Sequence, residues 1–152
     1  MNTLALDTAT QTGWAMRLGS VLYSGSQSFQ HDPKRESPGM RFLRFSQWLR
    51  EMIKNNDIGV IVYEQPHQRG GASTTVGVGL VALLMATCAE LGVEHQSVHT
   101  ATLKKFATGK GNASKEDMLK AIEARGVKAA YCELIDDNEV DAVALLLYSE
   151  AA

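Results

Sequence analysis

The sequence lacks the residues and patterns that mark several classes of protein. It has two cysteines in 152 residues, and neither Cys88 nor Cys132 stands in a CxxC or Cys/His spacing. A structural disulfide or a zinc site is therefore not expected, and a reduced, cytoplasmic compartment suits the chain. No uninterrupted apolar run reaches the roughly 18 residues of a membrane span, and a predicted strand begins at the N-terminus. We therefore expect neither a membrane partner nor a signal peptide.

An excess of charge of one sign is also missing. Lysine and arginine total 15 against 17 aspartates and glutamates, a formal net charge of −2 that does not indicate a nucleic-acid-binding protein. Basic residues nevertheless crowd one stretch: Lys104, Lys105, Lys110, Lys115, Lys120, Arg125 and Lys128. That stretch is either a basic binding face or a solvated helical surface, and charge alone favours neither.

The remaining composition is that of a globular protein. Hydrophobic residues make up 45% of the chain and charged residues 21%. A chain of this length can bury its own core, and no repeat or low-complexity linker divides it. We therefore expect a single domain over residues 1–152.

Hydrophobic periodicity predicts alternating strands and helices. Three strands joined by short turns form an antiparallel meander, at residues 3–7, 14–18 and 21–29, with residues 11–13 predicted as a turn. A helix from Pro38 to about Asn56 follows, and then a strand at residues 58–64. That strand is apolar on both faces and is therefore predicted to be central and parallel to its neighbour. The rest is a helix at 73–91, a strand at 93–98, a short helix at 100–106 and two helices that open near Ser114 and Asp136.

Three carboxylates occupy special places in this pattern. Asp7 ends the first strand, Glu64 ends the fourth strand, and Asp141 lies on the last helix. Carboxylates that converge repel one another unless cations lie between them. The pattern therefore favours a divalent-metal site and chemistry on an oxygen-rich, phosphate-like substrate.

Four local motifs occur in order along almost the whole chain. Residues 4–7 with 12–15 resemble the first motif of the RuvC-type Holliday-junction resolvases, and residues 62–66 resemble the second. Lys104 and Lys105 with residues 109–115 are similar to the third, lysine-bearing motif, and residues 136–142 resemble the fourth. The likeness is greatest to the compact phage-type members. It implies an RNase H-like α/β fold, in which a five-stranded mixed sheet of three antiparallel and two parallel strands is flanked by helices.

The resemblance also implies an activity. It is that of a Mg²⁺- or Mn²⁺-dependent endodeoxyribonuclease that resolves four-way DNA junctions, with two metal ions per active site, and leaves 5′-phosphate and 3′-hydroxyl nicks. Asp7, Glu64 and Asp141 would be catalytic metal ligands. Because two symmetric strands are cut, a homodimer is implied. The helix from Thr74 to Leu91 is apolar almost all round, which suits a subunit interface or equally a helix buried in its own core.

The last helix departs from the family pattern. The family carries two metal-ligating positions three residues apart, and here that pair is Asn138 and Asp141. Asn138 offers a neutral carbonyl oxygen. Asp137, four residues before Asp141, shares its helical face and is an alternative ligand, as is Glu139 with poorer geometry. Asp136 is predicted to be the N-cap of the helix.

The polar loops supply candidate DNA contacts. Lys115 is either a solvated residue at a helix start or, by the resemblance, a catalytic or phosphate-binding lysine, and Lys110 has the same two interpretations. Lys104, Lys105, His67 and Arg69 complete the predicted DNA-binding set. The glycines at 109 and 111 lack a full Walker spacing and predict no nucleotide site.

Two other functions remain open. Residues 4–10 also resemble the opening of actin-like proteins, notably the non-catalytic partner protein of bacterial tRNA threonylcarbamoylation. Such a scaffold would need neither Glu64 nor Asp141 and would usually carry a second domain. A related nuclease that cuts flaps or single strands is the other alternative, since preference among branched substrates depends on dimer geometry.

Overall fold

The computed structural model describes residues 1–66, 70–127 and 136–152. Its strands are β1 (Asn2–Asp7), β2 (Gln11–Leu18), β3 (Val21–Ser28), β4 (Ile58–Glu64) and β5 (Glu94–Val98). Its helices are α1 (Gly39–Asn55), α2 (Ala72–Leu91), α3 (Thr100–Thr108), α4 (Lys115–Ala124) and α5 (Asp137–Ala151). The element order is the one that the hydrophobic pattern predicts.

The five strands form one mixed sheet in the order β3-β2-β1-β4-β5. β1 pairs antiparallel with β2, and β2 pairs antiparallel with β3. β1 and β4 are parallel, as are β4 and β5. The predicted five-stranded mixed sheet, with three antiparallel and two parallel strands, is therefore confirmed.

Side chains alternate along each strand, so apolar residues project from both faces of the sheet, and helices pack on both faces. Leu4 and Leu6 of β1 enter one core with buried residues of α1 and α2, such as Phe45 and Leu80. Ala5 enters a second core with α3, α4 and α5. The helices thus form a layer on each side of the sheet, and the second layer carries α5 with Asp141.

Gly13 lies inside β2, so the prediction of a turn at residues 11–13 is wrong. The strand begins at Gln11, and Gly13 pairs with Asp7 of β1. A Cβ atom on Gly13 would lie 1.9 Å from the backbone oxygen of Asn138. The glycine is thus a point of close approach between the sheet and the first turn of α5, rather than a turn residue.

Helix α2 is long and apolar. Its 20 residues could cross a membrane by length and composition alone, which is weak evidence when a single helix meets that test. Core helices pass the same test, and here Leu80, Leu84 and Cys88 are buried in the core between α2 and the sheet. The helix is therefore placed as one layer of the fold.

Candidate metal centre and active-site groove

Asp7 and Glu64 meet because the strands that carry them are parallel neighbours. Leu6 pairs with Tyr63, so the residue that follows each of them lies at the same edge and on the same face of the sheet. β1 and β4 both have buried apolar interiors, which fixes their register. The sheet therefore places two carboxylates side by side at its carboxyl edge.

Asp141 reaches them from α5. The helix begins at Asp136, whose side chain accepts a hydrogen bond of 2.8 Å from the Glu139 backbone N–H, so the predicted N-cap is confirmed. The first turn of the helix then passes directly over Gly13, which is paired with Asp7. This approach brings Asp141, one turn into the helix, over the end of β1.

The three carboxylates form one cluster. Asp7, Glu64 and Asp141 each offer an oxygen atom, and these atoms lie within 4.8 Å of one another. Glu64 is only 7% exposed, and the other two are partly buried. Oxygen ligands this close suit a hard divalent cation, so these residues can hold Mg²⁺ or Mn²⁺.

The cluster is electrostatically strained without a cation. Burial, followed by the charges of Glu64 and Asp141, raises the pKa of Asp7 well above its ordinary value. Burial and the charge of Glu64 raise the pKa of Asp141 to about 7, although Lys104 and Lys115 act in the opposite direction. A bound cation would relieve the same repulsion.

A groove leads to the carboxylates. The larger cavity has a volume of about 450 Å³, and a smaller one of about 140 Å³ shares Glu64, Lys115, Asp137 and Asp141 with it. Beyond the acidic residues, the lining of the larger cavity includes Lys115, apolar residues such as Val76 and Pro66, and neutral polar residues: Thr8, Thr10, Gln11, Gln65, Ser73 and Thr74. The sequence did not single out Ser73 and Thr74, because helix α2 brings them to the site from a distance along the chain.

The predicted basic residues divide into two groups. Lys104 and Lys115 line the smaller cavity, next to the carboxylates. Lys115 Nζ lies 3.0 Å from a carboxylate oxygen of Asp137, and this ion pair raises the pKa of Lys115. Lys105 and Lys110 are exposed and line neither cavity. His67 and Arg69 lie outside the described residues, as does Cys132, whereas Cys88 is a buried free thiol.

The three candidates for a fourth metal ligand lie in different surroundings. Asn138 lines the larger cavity, and Asp137 lines both cavities. Glu139 lies about 200° around the helix axis from Asp141, is 1% exposed, and accepts a hydrogen bond of 2.8 Å from the hydroxyl of Ser24 on β3. Glu139 lines neither cavity, so Asn138 and Asp137 are better placed than Glu139 to supply an additional ligand.

Substitution distinguishes Asp137 from Asn138 as the additional ligand. If Asn138 coordinates metal through its carbonyl oxygen, Asn138→Asp should tighten Mn²⁺ binding by adding a charge, and Asn138→Ala should weaken it. Asp137→Asn should then change the affinity little, because Asp137 serves mainly as the partner of Lys115. Mn²⁺ titration of the DNA-free protein measures each constant. A large loss in Asp137→Asn with none in Asn138→Ala would assign the ligand to Asp137.

The metal-free protein should lose stability as the pH rises. Asp7 and Asp141 have folded-state pKa values above the ordinary 3.8, so their protonated forms favour the folded state. The stability that they contribute is complete below the unfolded pKa and is lost as the pH rises through the folded pKa, about 7 for Asp141. We expect the melting temperature in EDTA to fall between about pH 5 and pH 8, and Mg²⁺ to restore part of it at the higher pH. An Asp141→Asn variant should show a shallower fall, and an unchanged slope would contradict this origin.

Comparison with known proteins supports the fold. None of the protein-family models matches the chain, and none of the curated proteins does. The structure of Thermus thermophilus RuvC matches with a TM-score of 0.75 at 18% identity, covering 99% of this chain and 96% of that one. The T. thermophilus RuvC structure in complex with Holliday junction substrate matches with a TM-score of 0.78 at 17% identity, with the same coverage. A partial likeness to YeaZ from Pseudomonas aeruginosa has a TM-score of 0.44 at 15% identity and covers 67% of this chain and 45% of that chain. The full-length likeness to the RuvC structures establishes a shared fold.

Proposed function

We propose that this protein is a divalent-metal-dependent endodeoxyribonuclease that resolves four-way DNA junctions. The observation that carries the proposal is the convergence of Asp7, Glu64 and Asp141 within 4.8 Å at one edge of the sheet. The fold around that cluster is shared over nearly the full length with RuvC, including a structure bound to Holliday junction substrate. A cluster of this kind suits metal-assisted hydrolysis of a phosphodiester.

The residues of the groove have distinct roles in this proposal. Asp7, Glu64 and Asp141 would hold two Mg²⁺ or Mn²⁺ ions, with Asn138 or Asp137 as a further oxygen donor. When bound, the metal ions supply Lewis-acid activation of water and of the scissile phosphate. Lys104 and Lys115 neutralise phosphate charge beside the carboxylates. The products are nicks with 5′-phosphate and 3′-hydroxyl ends. We place this activity in the cytoplasm of a bacterium or of a phage-infected host, where its DNA substrate is found.

The two alternatives predict different properties. A non-catalytic actin-like scaffold has no need for three carboxylates that repel one another in a partly buried site, which disfavours it here. A nuclease specific for flaps or single strands would use the same cluster. The shared fold with a junction-bound structure favours four-way junctions as the first substrate to test.

We also propose that the active form is a homodimer, as cleavage of two symmetric strands requires. The support is the outer surface of α2 and the adjoining α1. Large apolar side chains there are exposed, with Leu43 at 49%, Val78 at 50% and Met85 at 44%. Exposed apolar groups on packed neighbouring helices suit a contact between two copies of the chain.

The test is a comparison of substrates. A mobile four-way junction, a matched duplex, a flap and a single strand are incubated with the protein and Mg²⁺ or Mn²⁺. We expect the junction to be cut fastest, with paired nicks at symmetric positions in opposing strands. Preference for the flap or single strand would select the alternative nuclease, and unpaired nicks would contradict the dimer.

The lysines of the groove should contribute to DNA affinity. Lys115→Ala and Lys104→Ala should each weaken junction binding and reduce the slope of log K against log salt by about 1, since each removes one phosphate contact. Lys110 lies outside both cavities, so Lys110→Ala should weaken junction binding less. Binding measured at several salt concentrations checks this, with exposed Lys34→Ala as the control. Equal salt slopes in Lys115→Ala and Lys34→Ala would show that Lys115 makes no phosphate contact and is a solvated surface residue.

A further inference from the structure

We propose that Thr100 is a positioning residue of the metal site, whose hydroxyl fixes the carboxylate of Glu64 in its ligating orientation. Thr100 is the first residue of α3 and belongs to none of the four sequence motifs. The inference deepens the proposed function and rests on Glu64 being a metal ligand.

The backbone brings Thr100 to Glu64 through the pairing of β4 with β5. Glu64 lies opposite Val98 in the parallel register, and the Gln65 N–H donates a hydrogen bond of 2.9 Å to the Val98 carbonyl. The chain then turns at His99, the N-cap of α3. Thr100 therefore starts the helix directly beside the end of β4.

The contact between the two side chains is short and specific. The Thr100 hydroxyl donates a hydrogen bond of 2.5 Å to Oε1 of Glu64. Within residues 1–66, 70–127 and 136–152, it is the one side-chain hydrogen bond that Glu64 receives. Threonine is β-branched and has few χ1 rotamers, which limits the positions that its hydroxyl can take.

This hydrogen bond matters because Glu64 is a buried member of the cluster. At 7% exposure, Glu64 has little access to water that could replace a lost donor. A carboxylate ligand that keeps one oxygen engaged by a fixed donor cannot rotate freely away from a metal ion. Partners of this kind hold metal ligands in their binding orientation, and their loss commonly lowers metal affinity by about 10- to 100-fold. Thr100 also lines the smaller cavity together with Lys104, so it lies at the groove itself.

Two substitutions separate the hydroxyl from the shape of the side chain. Thr100→Val keeps the branched shape and removes the donor, whereas Thr100→Ser keeps the donor. Thr102→Val is the matched control, because Thr102 is exposed on the same helix and lines neither cavity. The Mn²⁺ dissociation constant of the DNA-free protein and the dependence of junction cleavage on Mn²⁺ concentration are measured for each, after melting curves verify folding.

We expect Thr100→Val to weaken Mn²⁺ binding by about tenfold or more and to recover most of its cleavage rate at saturating Mn²⁺. Thr100→Ser and Thr102→Val should bind Mn²⁺ like the unaltered protein. Three results would overturn the inference. They are an unchanged Mn²⁺ affinity in Thr100→Val, an equal loss of Mn²⁺ affinity in Thr100→Ser, and no Mn²⁺ binding by the unaltered protein. Because the affinity is measured without DNA, a protein that binds Mn²⁺ and responds to Thr100→Val but leaves junctions intact would refute the proposed substrate and not the role of Thr100.

Discussion

Asp7→Asn, Glu64→Gln and Asp141→Asn are each expected to abolish metal-dependent cleavage while leaving the protein folded. Each substitution removes one negative ligand from a cluster whose oxygen atoms lie within 4.8 Å of one another. Bound metal contributes several kcal/mol to transition-state stabilisation, so the loss should be at least about 10³-fold in rate. Single-turnover cleavage of a four-way junction at saturating Mg²⁺ measures it.

Stability measurements separate this effect from unfolding. Replacing Asp7 or Asp141 relieves repulsion and removes a carboxylate whose pKa is raised by burial, so the melting temperature in EDTA near neutral pH should be unchanged or higher. Asp57→Asn is the matched control, because Asp57 is exposed and has a left-handed backbone that Asn tolerates. Near-normal cleavage by any of the three cluster variants would remove that residue from the site.

Gly13→Ala should produce the second large loss, although Gly13 bears no functional group. Its Cβ would lie 1.9 Å from the Asn138 backbone oxygen, and backbone cannot give way without moving the start of α5. Asp141 lies one turn further along that helix, so its carboxylate would move relative to Asp7 and Glu64. A displacement of about 1 Å at a catalytic group can cost about 10²-fold in rate. We expect a loss of that order, together with weaker Mn²⁺ binding and a lower melting temperature.

The control for Gly13→Ala is a glycine with room for a methyl group. A Cβ on Gly39 would lie 3.4 Å from its nearest neighbour, the hydroxyl of Ser37, and neither residue lines the two cavities at the carboxylates. Gly39→Ala should therefore leave cleavage and Mn²⁺ affinity unchanged. If Gly13→Ala retained full activity and affinity while folded, the close packing of α5 on β2 would not be what places Asp141.

The fold and the principal carboxylates could be predicted because they depend on local pattern. Runs of apolar residues that end in Asp7 and Glu64 identify strands, and parallel strands bring their carboxyl ends to one edge. The capping residue Asp136 fixes the start of α5 and thereby the position of Asp141 on the helix. The elements themselves are local features, whereas the pairing of β1 with β4 was expected from the family resemblance.

The remaining parts of the site depend on contacts between distant segments and were missed or left open. The sequence predicts a turn at Gly13 because glycine is common in turns. In the structure, glycine is required there because the backbone of Asn138, 125 residues later, leaves no room for a side chain. The helical position of Glu139 made it a candidate ligand, but its carboxylate is buried and accepts a hydrogen bond from Ser24 of β3. The role of Thr100 follows from the β4–β5 register, which periodicity alone does not give.

Cleavage of an end-labelled four-way junction by the unaltered protein, with Mg²⁺ and with EDTA, tests the proposed function directly. We expect paired nicks in opposing strands with Mg²⁺, none with EDTA, and products that ligase can rejoin because they carry 5′-phosphate and 3′-hydroxyl ends. Absence of cleavage by folded protein in both Mg²⁺ and Mn²⁺, or equal cleavage in EDTA, would contradict the proposed function.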